Sequence, residues 1–139
     1  MRAHTRTVRI EWGDCDPAGI VFYPRYFAMF DASTQDLFER VLGLRKRGII
    51  AAYDIVGIPM VDTRARFLIP SAFGDEVTIE SEVTTFRRSS FDIRHRLLKD
   101  GALAVEAWET RVWAGRHPDD PARIRAQPVP AEVIAQFGL

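Results

Sequence analysis

At 139 residues, 47% hydrophobic and 27% charged, the chain has the length and composition of one domain that buries a core without metal or disulfide staples. Its 19 Lys and Arg balance 19 Asp and Glu, so no overall basic field points to nucleic acid or an anionic membrane, although a local basic patch stays open. One cysteine allows no internal disulfide, the N-terminal MRAHTRT lacks the apolar core of a signal peptide, and no apolar run is long enough to span a bilayer. The cytoplasm is the expected location.

In chain order, TVRIEW (residues 7–12) alternates apolar and polar residues as a short strand does, and stops at the turn signal Gly13-Asp14. The period then changes. Tyr26, Phe27, Phe30, Thr34, Leu37, Phe38, Val41 and Leu42 recur at three- and four-residue spacing, which predicts a long helix over residues 24–42 with Pro24 at its first position and Gly43 as terminator. Residues 44–58 are ambiguous, with IIAAY (residues 49–53) a candidate short helix. Strands are expected at residues 61–67, 76–84, 91–97 and 103–113, the third closing on the hairpin dipeptide Asp100-Gly101. HPDDP (residues 117–121) reads as a loop, RIR (residues 123–125) as an edge strand and residues 130–137 as a terminal helix. A long helix followed by consecutive antiparallel strands indicates an α+β fold in which the sheet curls around the helix. Its open edges favour pairing with a second copy.

The richest stretch chemically is EWGDCDPAGIVFY, residues 11–23. Asp14 and Asp16 are both turn formers by residue type. Asp16 also stands a short loop ahead of the long helix, bracketed by Gly13 and Gly19, where a carboxylate can act as nucleophile or general base. At Tyr23 the helix start offers unpaired N–H groups and positive dipole density for a developing oxyanion. Cys15 points away from Asp16 on an extended segment and reads as a packed thiol. A metal site built from Glu11, Asp14 and Asp16 lacks a closing ligand downstream, so no metal is expected. His4 is expected to be disordered, and His95 to be a packed or surface strand residue. FRRSSF (residues 86–91), joined by Arg123 and Arg125, supplies paired arginines and hydroxyls suited to phosphate.

GDCDPAGIVFYP (residues 13–24) resembles the active-site segment of the 4-hydroxybenzoyl-CoA thioesterase family of hotdog-fold enzymes, and Gly57-Ile58-Pro59, FRRSSF and RIRA (residues 123–126) carry the likeness along nearly the whole chain. The resemblance implies a single hotdog domain, residues 1–139, assembled as homodimers and then a homotetramer. It implies hydrolysis of a CoA thioester, with CoA as part of the substrate and no cofactor. Asp16 would attack the thioester or activate water, and the Tyr23 N–H would receive the carbonyl oxygen. Arg87, Arg88, Ser90 and Arg125 would bind the CoA phosphates, often across a subunit interface, and Asp31 would lie near the acyl group. Ser89 stands where the aryl-CoA enzyme has a basic residue, which weakens one phosphate contact. Tyr23 follows the aryl pattern rather than the histidine of the Tol–Pal-associated acyl-CoA thioesterases. Short-chain aliphatic acyl-CoA hydrolysis, an enoyl-CoA hydratase and a non-catalytic CoA-ester carrier are the alternatives; the hydratase would need a histidine near Asp16, and none is close in sequence.

Overall fold

The computed structural model describes residues 3–139. Its chain order is β1 (Ala3–Arg9), α1 (Tyr23–Leu42), α2 (Lys46–Tyr53), β2 (Met60–Phe67), β3 (Glu76–Phe86), β4 (Ser90–Lys99), β5 (Ala102–Val112), β6 (Ala114–Arg116), β7 (Ile124–Ala126) and α3 (Ala131–Gln136). Five strands form one antiparallel sheet in the order β1-β3-β4-β5-β2, and β6 and β7 pair as a separate ribbon. The inward residues of β3 and β4, at every second position, pack on α1, the α+β arrangement that the sequence pattern implied.

Helix α1 buries one broad stripe, including Tyr26, Phe30, Leu37, Phe38 and Val41, and ends where Gly43 turns left-handed (φ 69°), its N–H bonding back to the Glu39 carbonyl. Tyr23 takes the first helical position and Pro24 the second. The stripe contacts two apolar clusters. One gathers around Ile10, Phe30, Ile79 and Leu97, the other around Phe38, Phe91, Trp113 and Phe137.

Two expectations need correction. The first strand is Ala3–Arg9 rather than residues 7–12, because Ile10 leaves the β1–β3 ladder to exchange backbone hydrogen bonds with the loop at Gly74 and Asp75, after which residues 12–14 coil into a 3₁₀ turn. His4 is ordered within β1, in register with Ser81. The ambiguous segment does form the candidate short helix at residues 49–53, extended back through Lys46 and Arg47, and Asp54 closes it in the left-handed conformation. Smaller shifts occur at β7, displaced one residue to Ile124–Ala126, and at the long strand from residue 102, which breaks at Trp113 before β6.

Candidate active site

The loop between β1 and α1 uses most of its polar groups on itself. The Glu11 N–H donates to Asp14 Oδ2 (2.9 Å) and the Asp14 N–H returns to the Glu11 carbonyl (3.0 Å), so Asp14 serves the turn. Cys15 and Val21 form a bridge across the loop, and the Asp16 N–H bonds the Ile20 carbonyl (3.0 Å). Gly19, at φ 83°, lets the chain double back, with its N–H on the Asp16 carbonyl (2.9 Å). Asp16 Oδ1 accepts the Ala18 N–H (2.9 Å), which fixes the carboxylate while its second oxygen stays open to a ligand.

The same stitching defines the helix start. The Phe22 N–H donates to the Asp14 carbonyl, Pro24 has no N–H, and the Arg25 N–H bonds the Phe22 carbonyl. The N–H of Tyr23, first residue of α1, has no acceptor within the helix and lies at the positive end of the dipole. A groove of about 370 Å³ opens beside it, lined by Ile20, Val21, Tyr23, Tyr26 and Phe67 among others. Phe67 at the end of β2 touches Tyr23, Tyr26 and Phe27 ring to ring, at centroid distances of 6.5, 5.7 and 6.4 Å.

Tyr23, Phe27 and Asp31 repeat at four-residue spacing, so they form a stripe along one side of α1. Asp31 leaves 66% of its side chain exposed and is anchored through Oδ1 to Arg111 Nη2 (2.7 Å). Arg111 is 6% exposed; its Nε bonds Glu109 Oε1 (2.8 Å) and its Nη1 the Ile58 carbonyl (3.1 Å). Glu109 in turn meets His95 Nε2 (3.1 Å) and accepts the Thr34 hydroxyl (2.7 Å), while His95 Nδ1 meets the Ser81 hydroxyl (2.7 Å). Burial alone would push the Glu109 carboxyl up, but hydrogen bonds from His95 and Arg111 and their charge outweigh it and bring it to about 2. Burial works to lower Arg111, and Glu109 and Asp31 more than offset it, holding the guanidinium above its ordinary value.

Reading by motif alone misses Glu109, Arg111 and His95 as a unit. The signal was present in the strand parity. His95 alternates with Ile93 and Leu97, and Glu109 and Arg111 share the parity of Val105 and Ala107, so all three project onto the apolar face. A cavity of about 310 Å³ borders this seam, lined by Asp31, Thr34, Phe38, Ile58, Pro59 and Arg111 among others.

The expected phosphate residues lie elsewhere. The turn at residues 87–90 is closed by the Arg87 N–H on the Ser90 carbonyl, and held by the Trp113 N–H on Ser89 and the Val129 N–H on Arg88. Arg87 grips Asp92 with both terminal nitrogens (3.0 and 2.6 Å) and the Ser90 hydroxyl with Nε (2.9 Å). Its hydrogen bonds with Asp92 raise the guanidinium and lower the carboxyl. Arg88 and Arg125 are exposed, Arg125 on β7. The turn lies beyond Phe86 and Phe91, and Phe91 packs on Phe38. Tyr23 and Phe38 are about 22 Å apart along α1, so one chain separates the Asp16 loop from the arginine turn by most of the helix. Among the described residues, no group of three or more His, Cys, Asp or Glu is arranged to hold a metal ion, and no helix is long and apolar enough to cross a membrane.

Known proteins share this fold. The model of the thioesterase-like superfamily matches residues 10–137. The 4-hydroxybenzoyl-CoA thioesterase of Pseudomonas sp. (strain CBS-3) is 38% identical over 138 residues, 96% of each chain. Among solved structures, a mutant 4-hydroxybenzoyl-CoA thioesterase complexed with 4-hydroxybenzoyl-CoA superposes with TM-score 0.88 at 38% identity, covering 99% of both chains. A gentisyl-coenzyme A thioesterase gives 0.82 at 28%, covering 98% of this chain and 100% of that one.

Proposed function

The chain belongs to the thioesterase-like superfamily and has its hotdog fold, and from that premise we propose that it hydrolyses the CoA thioester of a hydroxylated aromatic acid, such as 4-hydroxybenzoyl-CoA, to free acid and CoA. It is a thioesterase; the aryl group is what the site's shape adds. The observation that carries this reading is the stripe Tyr23, Phe27, Asp31. It places a free N–H and a carboxylate about 12 Å apart along α1, with aromatic rings between them. A flat acyl group with its carbonyl at Tyr23 and a para hydroxyl at Asp31 spans that interval with a hydrogen bond at each end. Two relatives act by name on aryl-CoA esters carrying ring hydroxyls, which agrees with a polar far end.

The chemistry follows from the loop. The thioester oxygen accepts the Tyr23 N–H, which stabilises the negative charge that develops as the carbonyl carbon becomes tetrahedral. The free oxygen of Asp16 either bonds to that carbon, expelling CoA thiolate and leaving a mixed anhydride that water hydrolyses, or takes a proton from the water that attacks. Single turnover in ¹⁸O-water separates the two, since only the anhydride route labels Asp16. CoA belongs to the substrate, and no cofactor or metal is required in either route.

We further infer that the working unit is a homodimer that pairs into a tetramer. Edge strand β2 exposes Val61 (60%) and Phe67 (47%) beside the charged Asp62, Arg64 and Arg66, an open edge suited to a second copy. The separation of Asp16 from Arg88 and Arg125 within one chain supports phosphate binding by a neighbouring subunit. The same reading takes the chain as one domain working in the cytoplasm, which its lone cysteine suits. The functional test is a thiol-release assay over 4-hydroxybenzoyl, benzoyl, phenylacetyl and short aliphatic CoA esters. The hydroxylated aryl ester should give the highest kcat/KM, and activity confined to aliphatic esters would overturn the aryl assignment.

A further inference from the structure

A charged seam crosses a core that has every reason to be apolar. Glu109 and His95 are 1% and 0% exposed, and Arg111 is 6% exposed. They lie on the inward face of the sheet, between the apolar cluster around Phe30 and the one around Phe38. Filling such a position with well-packed hydrophobic residues is often neutral or stabilising, so stability alone is a poor reason for a buried ion pair. What distinguishes this seam is its direction. It begins at Ser81 on β3, passes through His95 on β4 and Glu109 and Arg111 on β5, and surfaces at Asp31 on α1.

Each step orients the next. Because the Thr34 hydroxyl donates to Glu109, its oxygen is left to accept from His95, so His95 turns an Nε2–H toward Thr34 and Glu109, and its Nδ1 meets the Ser81 hydroxyl. The ring is also stacked on Phe30, at 5.0 Å and 18°. Glu109 is thereby fixed, and its Oε1 aims the Arg111 fork, whose other arms reach the Ile58 carbonyl and Asp31. Arg111 therefore shares one positive charge between two carboxylates. Asp31 keeps a net negative character, with one oxygen held and most of the side chain open.

We propose that Arg111 and Glu109 are positioning residues for substrate selection: through Arg111 they set the orientation and charge of Asp31, so that it accepts a hydrogen bond from a neutral donor on the acyl group. Acyl groups bearing a hydroxyl or amino group at the far end are favoured, and those bearing a carboxylate there are repelled. This deepens the aryl-CoA reading and rests on it for the location of the acyl group.

The test uses binding rather than turnover. In the Asp16→Asn background, affinities for 4-hydroxybenzoyl-CoA and benzoyl-CoA are measured by calorimetry, and the ratio of the two Kd values is the readout. The parent should prefer the hydroxylated ester by about tenfold or more, the range of a hydrogen bond to a charged acceptor. Asp31→Ala and Arg111→Met should each bring the ratio near one, and the double variant should bring it no lower. Glu109→Gln keeps the shape of the side chain and should lose part of the preference; it decides the matter if Arg111→Met does not fold. Arg111→Lys, which keeps the charge without the fork, should restore the preference only in part. A parent without preference, an unchanged ratio in Glu109→Gln and Arg111→Met, or additive losses in the double variant would overturn the proposal. If the Asp16→Asn background prefers the hydroxylated ester while the unsubstituted chain hydrolyses neither ester, the functional reading falls instead and this one stands.

Discussion

The loop at residues 11–22 and the turn at residues 87–90 flank opposite ends of α1, and they treat their polar groups in opposite ways. In the loop, Asp14 and the backbone satisfy one another, so that Asp16 keeps a free oxygen and Tyr23 a free N–H. In the turn, the side chains themselves close the structure: Arg87 holds Asp92 and Ser90, and only Arg88 and Arg125 extend outward. A reactive site is built where backbone does the bracing and a side chain is spared. A charged residue in a suggestive motif can equally be consumed by the motif's own fold.

Asp16→Asn makes the sharpest test of that contrast. Asparagine retains the oxygen that accepts the Ala18 N–H, so the loop should keep its shape and acyl-CoA binding should persist. In the proposed mechanism the substitution removes the nucleophile or base, and kcat should fall by about 10²–10⁴-fold. Thiol release measured beside calorimetric binding checks both halves. Unchanged hydrolysis would remove Asp16 from the mechanism, and loss of binding along with turnover would mean that the carboxylate was bracing the loop after all.

Between the two ends, the buried seam shows a third disposition: charge satisfied wholly inside the protein. The Glu109 carboxyl lies near 2 in the folded chain against 4.5 for the unperturbed group, so it stabilises the fold fully above about pH 4.5 and ceases to do so as pH falls toward 2. Denaturant unfolding at pH 5.5, 4 and 3 should show the native chain losing stability faster than Glu109→Gln, so that the gap between them narrows on acidification. Parallel curves would mean that Glu109 is not held ionised.

Much of this was legible in the sequence. The three- and four-residue period from Tyr26 to Leu42 yields α1, and period-two alternation yields β3, β4 and β5, because one face of each is buried and burial imposes the pattern. Gly13, Asp16 and Gly19 marked the loop as unusual, and Asp14 was already readable as its turn former. The end of β1 lies earlier than the alternation implies because Ile10 is apolar for a non-strand reason, being fully buried while it bonds to the loop at Gly74 and Asp75. The partnership of Asp31 with Arg111 was invisible, since the two are 80 residues apart and meet only when α1 is laid across β5. The pairing of Arg87 was hidden for another reason. Its partner Asp92 sits five residues away, yet the turn that joins them is set by tertiary bonds from Trp113 and Val129.

The smallest effects finish the comparison at the arginine end. Arg88→Ala and Arg125→Ala should each raise KM about five- to tenfold with kcat nearly unchanged, more at low salt than at high, because exposed cations meeting phosphate are screened. Arg87→Ala should behave differently. It breaks a bidentate pair whose side chains are 46% and 34% exposed, so after screening the loss is about 1 kcal/mol or less, read as a slightly lower unfolding midpoint. Asp92 keeps the Thr110 hydroxyl, which limits the damage, and KM should move by less than about threefold. Unfolding and kinetics on the three variants side by side decide the point. If Arg87→Ala raises KM as far as Arg88→Ala and leaves the midpoint alone, Arg87 releases Asp92 to take phosphate. The turn would then be spared for ligand just as the Asp16 loop is, and the contrast between the two ends would vanish.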